Sequence, residues 1–258
     1  MFDLPEEITP DVVAQRAAEK KAVLARLCQP GPDVSFGDLC FSDLMNDTFW
    51  YRPALRLFGP RLERPEASLS PWERVDWEPV EAAQMSLVRL DRIKDPNTSL
   101  QGIIDSSFGF RKWNNHDALF TCNRPCVVRV LYTAHPNSPI PFEQLQSFEM
   151  PVDRFEDSRY IPIDTRAQYT LIAVVRMAHL MNDEPDAVRF YNIDGPYNIN
   201  TATNPAFLNR GWSIASPTNH RYLLVFGPAK QPRLEPTYPE VCTRLAPSQP
   251  RSRGDLDN

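Results

Sequence analysis

Five cysteines and four histidines carry most of the covalent chemistry open to this chain: Cys28, Cys40, Cys122, Cys126 and Cys242, with His116, His135, His179 and His220. A cysteine hydrolase needs a thiolate, an imidazole base within hydrogen-bond reach, and a carboxylate or amide that orients the base. Cys40 and Cys122 are the candidate nucleophiles and His179 is the candidate base. Cys122-Asn-Arg-Pro-Cys126 is a C-x3-C pair. Zinc sites more often use C-x2-C or C-x4-C with a second pair or histidines nearby. Two buried thiols flanking a turn are the expectation there, and no metal site is expected. An odd, irregularly spaced set of cysteines does not form a secreted disulfide framework.

The remaining polar clusters offer less. Asn182-Asp-Glu-Pro-Asp186 is acidic but lacks the alternating oxygen ligands and the glycine of a calcium loop. Trp113-Asn-Asn-His-Asp117 either lines a pocket or forms a capped loop, and His220 sits in a turn ahead of a strand. Nine glycines stand against 26 prolines, and no glycine-rich phosphate cradle is present. No cofactor is expected.

Positioning these groups requires a folded body. Residues 10–28 read as a helix, with Thr9 as cap, Pro10 in the first turn, and a stop at Gln29-Pro30-Gly31-Pro32. Prolines interrupt residues 33–100, where short helices are predicted at Phe41–Leu57 and Glu81–Asp91. Trp50, Trp72 and Trp77 supply aromatic area for a core. Leu100–Phe108 reads as a helix and Arg111–Phe120 as a polar loop. Strands are predicted at Cys126–Thr133, Tyr169–Met177, Val188–Tyr191 and Arg221–Phe226, all rich in Val, Ile, Leu and Tyr. Tyr169–Val175 is apolar enough to be buried on both faces. Six prolines and few apolar residues after Gly227 predict a disordered tail. The fold class is α+β: an N-terminal helical arm over 1–29, one body over 30–227 with a mixed or antiparallel sheet in its C-terminal half, and a tail over 228–258.

Charge and targeting bound the partners. The net charge is −5 with no basic block, so nucleic acid is not a favoured partner. The N-terminus MFDLPEEITPD lacks a secretory signal. The longest strongly apolar run, Leu171–Val175, falls far short of the roughly 20 residues that span a bilayer. An intracellular protein, cytoplasmic or nuclear and without a membrane anchor, is expected.

Three segments resemble a known family. Tyr169-Thr-Leu-Ile-Ala-Val-Val175 is similar to the Y-x-L-x-A-V-[VI] strand near the end of ubiquitin-specific proteases. Arg221-Tyr-Leu-Leu-Val-Phe226 is similar to that family's closing Y-[LM]-L-x-[YF] strand. Pro125-Cys-Val-Val-Arg-Val-Leu-Tyr132 followed by Phe148-Glu-Met-Pro-Val152 resembles a third stretch, and the order of the pieces agrees over about residues 120–227. The family's catalytic boxes have no counterpart. Cys40 lies in Asp38-Leu-Cys-Phe-Ser42 rather than G-[NL]-T-C-[YF]-[ML]-N, and Asn46 is not placed to complete that box. His179 follows the strand directly, without the glycine and aromatic neighbours of the G-H-[YF] histidine. The resemblance therefore implies a degenerate ubiquitin-specific-protease-like domain: a non-catalytic module that binds a protein partner. The alternative is a divergent cysteine-dependent hydrolase or isopeptidase that uses Cys40 or Cys122.

Overall fold

The computed structural model describes residues 36–65, 71–152, 154–156, 159–161, 166–177, 186–191 and 212–229, with Ala18 as a single helical residue ahead of them. The rest of the predicted 10–28 helix, the Asn182–Pro185 part of the acidic loop, and the tail beyond Ala229 lie outside the described residues. The fold class is α+β, as the sequence predicts. Two sheets dominate, and strands begin earlier than expected, at Arg61.

The larger sheet is built from the apolar runs. Its strands are β3 (Leu87–Asp91), β6 (Val128–Thr133), β12 (Arg221–Pro228), β10 (Arg166–Arg176) and β11 (Ala187–Phe190), in the spatial order β11-β10-β12-β6-β3. β7 (Ser147–Pro151) pairs with the first half of β10. All pairs are antiparallel except β3 with β6. The register sets Val88, Val130, Leu224 and Val174 in one row across four strands. The next row, on the opposite face, holds Arg89, Leu131, Leu223 and Val175.

Both faces are covered, which is why the sequence of β10 and β12 runs apolar rather than alternating. One face joins the main core with Tyr132, Tyr222, Phe148 and Tyr169. The other meets a smaller cluster of Cys40, Leu87, Leu131, Val175, Met177 and Leu223. Each fully buried aliphatic side chain contributes about 1.5–3 kcal/mol to folding.

The segment covering the second face departs from the single helix expected over Phe41–Leu57. It breaks into α1 (Phe36–Cys40), α2 (Asp43–Met45), a π-helical turn (Asn46–Trp50) and a 3-10 turn (Pro53–Leu55). Ser42 causes the first break by capping α2, its Oγ accepting from Met45 N–H at 3.2 Å. Pro53 causes the last, since it has no N–H to continue a helix.

A second correction falls on Glu81–Asp91. The helix there, α3 (Pro79–Met85), stops at Met85 because the next residue turns its hydroxyl back on it. Ser86 Oγ donates to Ala82 O at 2.6 Å and accepts from Leu57 N–H at 2.9 Å. Leu87–Asp91 then runs as β3, not helix. α4 (Leu100–Ser107) matches its prediction and is capped by Ser99, whose Oγ accepts from Gly102 N–H at 3.0 Å.

The smaller sheet is antiparallel, with β1 (Arg61–Pro65), β2 (Glu73–Val75), β4 (Gly109–Trp113) and β5 (His116–Phe120) in the order β2-β1-β5-β4. The expected polar loop over Arg111–Phe120 is therefore most of a hairpin. Asn114 and Asn115 both take positive φ, 47° and 65°, the two-residue turn that suits right-twisted strands. Two further strands, β8 (Arg154–Glu156) and β9 (Arg159–Ile161), pair with each other.

Candidate functional site

Cys40 ends α1 beneath the larger sheet, and its burial decides its chemistry. The residue is 3% exposed. Its carbonyl accepts from Trp50 Nε1 at 3.0 Å, so the tryptophan ring closes over the end of the helix. Arg129, on the adjoining face of β6, lies beside the thiol and stacks 3.9 Å from the Trp50 ring centroid. Arg129 also donates to Ala83 O at 2.8 Å. Burial pushes the Cys40 thiol up from its ordinary value, with Arg129 only partly opposing this. The same burial pulls the guanidinium of Arg129 down to about 10. A sealed thiol held in its neutral form is a poor nucleophile.

Cys122 and Cys126 do not form the pair of buried thiols expected. Cys122 is half-buried, its Sγ 3.9 Å from Met150 Sδ and accepting from Arg124 N–H at 3.3 Å. Cys126 is exposed, because the chain turns outward at Arg124 (φ 50°) and Cys126 N–H is pinned to Ala54 O at 2.8 Å. The described histidines are engaged elsewhere. His116 Nδ1 faces Glu63 Oε2 at 3.3 Å, His135 Nδ1 accepts from Asn137 N–H at 3.1 Å, and the His220 ring stands edge-on to Tyr222. His179, Cys28 and Cys242 lie outside the described residues, so their predicted roles meet no geometry here. Among the described residues no cluster of three or more His, Cys, Asp or Glu side chains could hold a metal ion.

The constellation that the sequence reasoning missed is arginine on aromatics. Trp77 is buried as expected, while Trp50 and Trp72 are only half-buried. On one face of the smaller sheet, Arg61 lies 4.3 Å from the Trp77 ring and 5.3 Å from that of Trp113. Arg111 lies 3.4 Å from Phe120, and burial lowers its pKa. Such stacks desolvate a cation while leaving the quadrupole of the ring to offset part of the cost.

The opposite face is exposed at Phe110 and Lys112 and buried at Leu62 and Leu119. Register places Arg64, Asp117 and Lys112 in one cross-strand row, and Leu62, Leu119 and Phe110 in the next. Lys112 Nζ lies 2.8 Å from Asp117 Oδ1, and Arg64 Nε lies 3.6 Å from Asp117 Oδ2. The Lys112 hydrogen bond, with Arg64 adding to it, holds the Asp117 carboxyl below the usual carboxylate range. Arg64 stacks 4.5 Å from the Trp72 ring, and Trp72 meets Phe110 at 5.6 Å. Arg64, Trp72, Phe110, Arg111, Lys112, Asp117 and Ala118 line a cleft of about 340 Å³. The signal in the sequence was the alternation in Gly109-Phe-Arg-Lys-Trp113, aromatic and basic on both faces of one strand.

No helix among the described residues is long and apolar enough to cross a membrane. The chain matches no family model and no curated protein. It is similar to two solved structures of the Saccharomyces cerevisiae Pan2 pseudoubiquitin hydrolase-RNA exonuclease module. The first, an apo Pan2 module in complex with AAGGA RNA, is 11% identical with a TM-score of 0.42 over 86% of this chain and 43% of that one. The second, an apo module, is 12% identical with a TM-score of 0.34 over 75% and 35%. This chain spans less than half the length of either. The RNA in the first belongs to Pan2 and stands against the expectation above that nucleic acid is not a favoured partner. The resemblance that stands is a weak one to a ubiquitin-hydrolase-like module.

Proposed function

We propose that this chain is a non-catalytic, intracellular protein-interaction module. Residues 30–227 form its body, a ubiquitin-specific-protease-like domain that has lost its thiol chemistry, with 1–29 and 228–258 as accessory contacts. The observation that carries this reading is the setting of Cys40, 3% exposed, with Trp50 bonded to its carbonyl and the Arg129 guanidinium beside its thiol. A hydrolase requires a thiolate beside a base, and burial at Cys40 favours the thiol. One observation supports the alternative of a cysteine hydrolase centred on Cys122: the Arg124 N–H donated to its sulfur, a contact that favours a thiolate.

Alkylation of the folded protein with iodoacetamide, mapped by peptide mass at neutral pH, separates the two. Cys126 is expected to label first and Cys40 only after unfolding in urea. Labelling of Cys40 in the folded state, or labelling of Cys122 tenfold faster than Cys126, would overturn the non-catalytic reading.

A further inference from the structure

The partly exposed face of the smaller sheet combines three kinds of group that one ligand class uses together. Trp72 and Phe110 form a tilted aromatic pair, and the Phe110 side chain is 62% exposed. Arg64 and Lys112 bring two cations to the cleft against the single carboxylate of Asp117, in a chain whose net charge is −5. The local charge is thus the reverse of the whole molecule's.

We propose that this cleft binds single-stranded nucleic acid, one base stacking on Trp72 and Phe110 and the backbone phosphates lying against Lys112 and Arg64. Aromatic faces accept any base, and cations along a sheet surface track the backbone. The aromatic pair decides against an acidic peptide, which the same cations would also attract but whose Asp and Glu side chains have no ring to stack. The Asp117 carboxylate sits between Arg64 and Lys112 in the cross-strand row. Toward a base it is an acceptor, suited to an exocyclic amino group such as that of cytosine. This inference goes beyond the protein-interaction reading and does not depend on it.

Fluorescence anisotropy of the full chain with labelled oligomers of about ten nucleotides tests the proposal. Cytosine and adenine oligomers are expected to bind more tightly than uracil oligomers, with Trp fluorescence quenched on binding. Phe110→Ala, which changes a mostly exposed side chain, weakens binding by about tenfold. Lys112→Ala reduces the slope of log affinity against log salt by about 0.7. Three results would overturn the proposal: no binding of any oligomer at low salt, unchanged affinity in Phe110→Ala, or equal competition by polyglutamate, which would assign the cleft to an acidic peptide.

Discussion

At the scale of single residues, the fold turns reactive side-chain types into packing. Cys40 and Tyr169 are both titratable, and burial raises the pKa of each. Tyr169 is 1% exposed, stacks on Phe148 with rings 5.5 Å apart, and donates its hydroxyl to Pro125 O at 2.7 Å. Its pKa rises mainly through desolvation, from an ordinary value near 10.0. The folded state therefore keeps the phenol protonated at a pH where the unfolded chain releases the proton. The resulting stability is fully present below pH 10 and is lost as pH rises beyond it. Tyr169→Phe is expected to cost about 1 kcal/mol at neutral pH for the lost hydrogen bond. The gap to wild type should narrow above pH 10, measured by urea unfolding across pH. Parallel curves for the two proteins would show that the phenol is not desolvated as described.

At the scale of elements, legibility followed the physics of burial. β10 and β12 could be read from Val, Ile and Leu runs because both of their faces are covered. β4 and β5 could not, because their stability rests on cross-strand partners that are polar in sequence. Lys112 opposite Asp117 and Arg111 stacked on Phe120 look like loop residues until the strands are paired. β3 was hidden because Leu87, Val88 and Leu90 follow a helix at spacings that fit another turn. Only the Ser86 hydroxyl, bonded back to Ala82 O, ends that helix. The candidate site divides the same way: Cys40 and Cys122 were visible as residue types, but the Arg129–Trp50 enclosure depends on elements far apart in sequence. The Asn114–Asn115 turn is the element-scale test. Asn tolerates the left-handed region at Asn115 better than Ala does, so Asn115→Ala should destabilise by about 1 kcal/mol while Asn115→Gly is neutral or stabilising. Thermal melts of both variants decide this, and an unaffected Asn115→Ala would argue against the tight hairpin.

At the scale of the whole molecule, two sheets have different duties. The larger is covered on both faces and supplies most of the core. The smaller turns one face inward, onto Trp77 and Phe120, and on the other carries exposed Phe110 and the Arg64–Asp117–Lys112 row beside buried Leu62 and Leu119. Such a division suits a binding module: a rigid support and one adaptable polar-aromatic face. It also places the candidate binding cleft on a different sheet from the one that buries Cys40. The most direct test of the central claim is to incubate the folded chain with a ubiquitin probe bearing a C-terminal electrophile and to record its intact mass. No covalent adduct on any cysteine is predicted, even after prolonged incubation, whereas a stoichiometric adduct mapped to Cys40 or Cys122 would contradict the non-catalytic account.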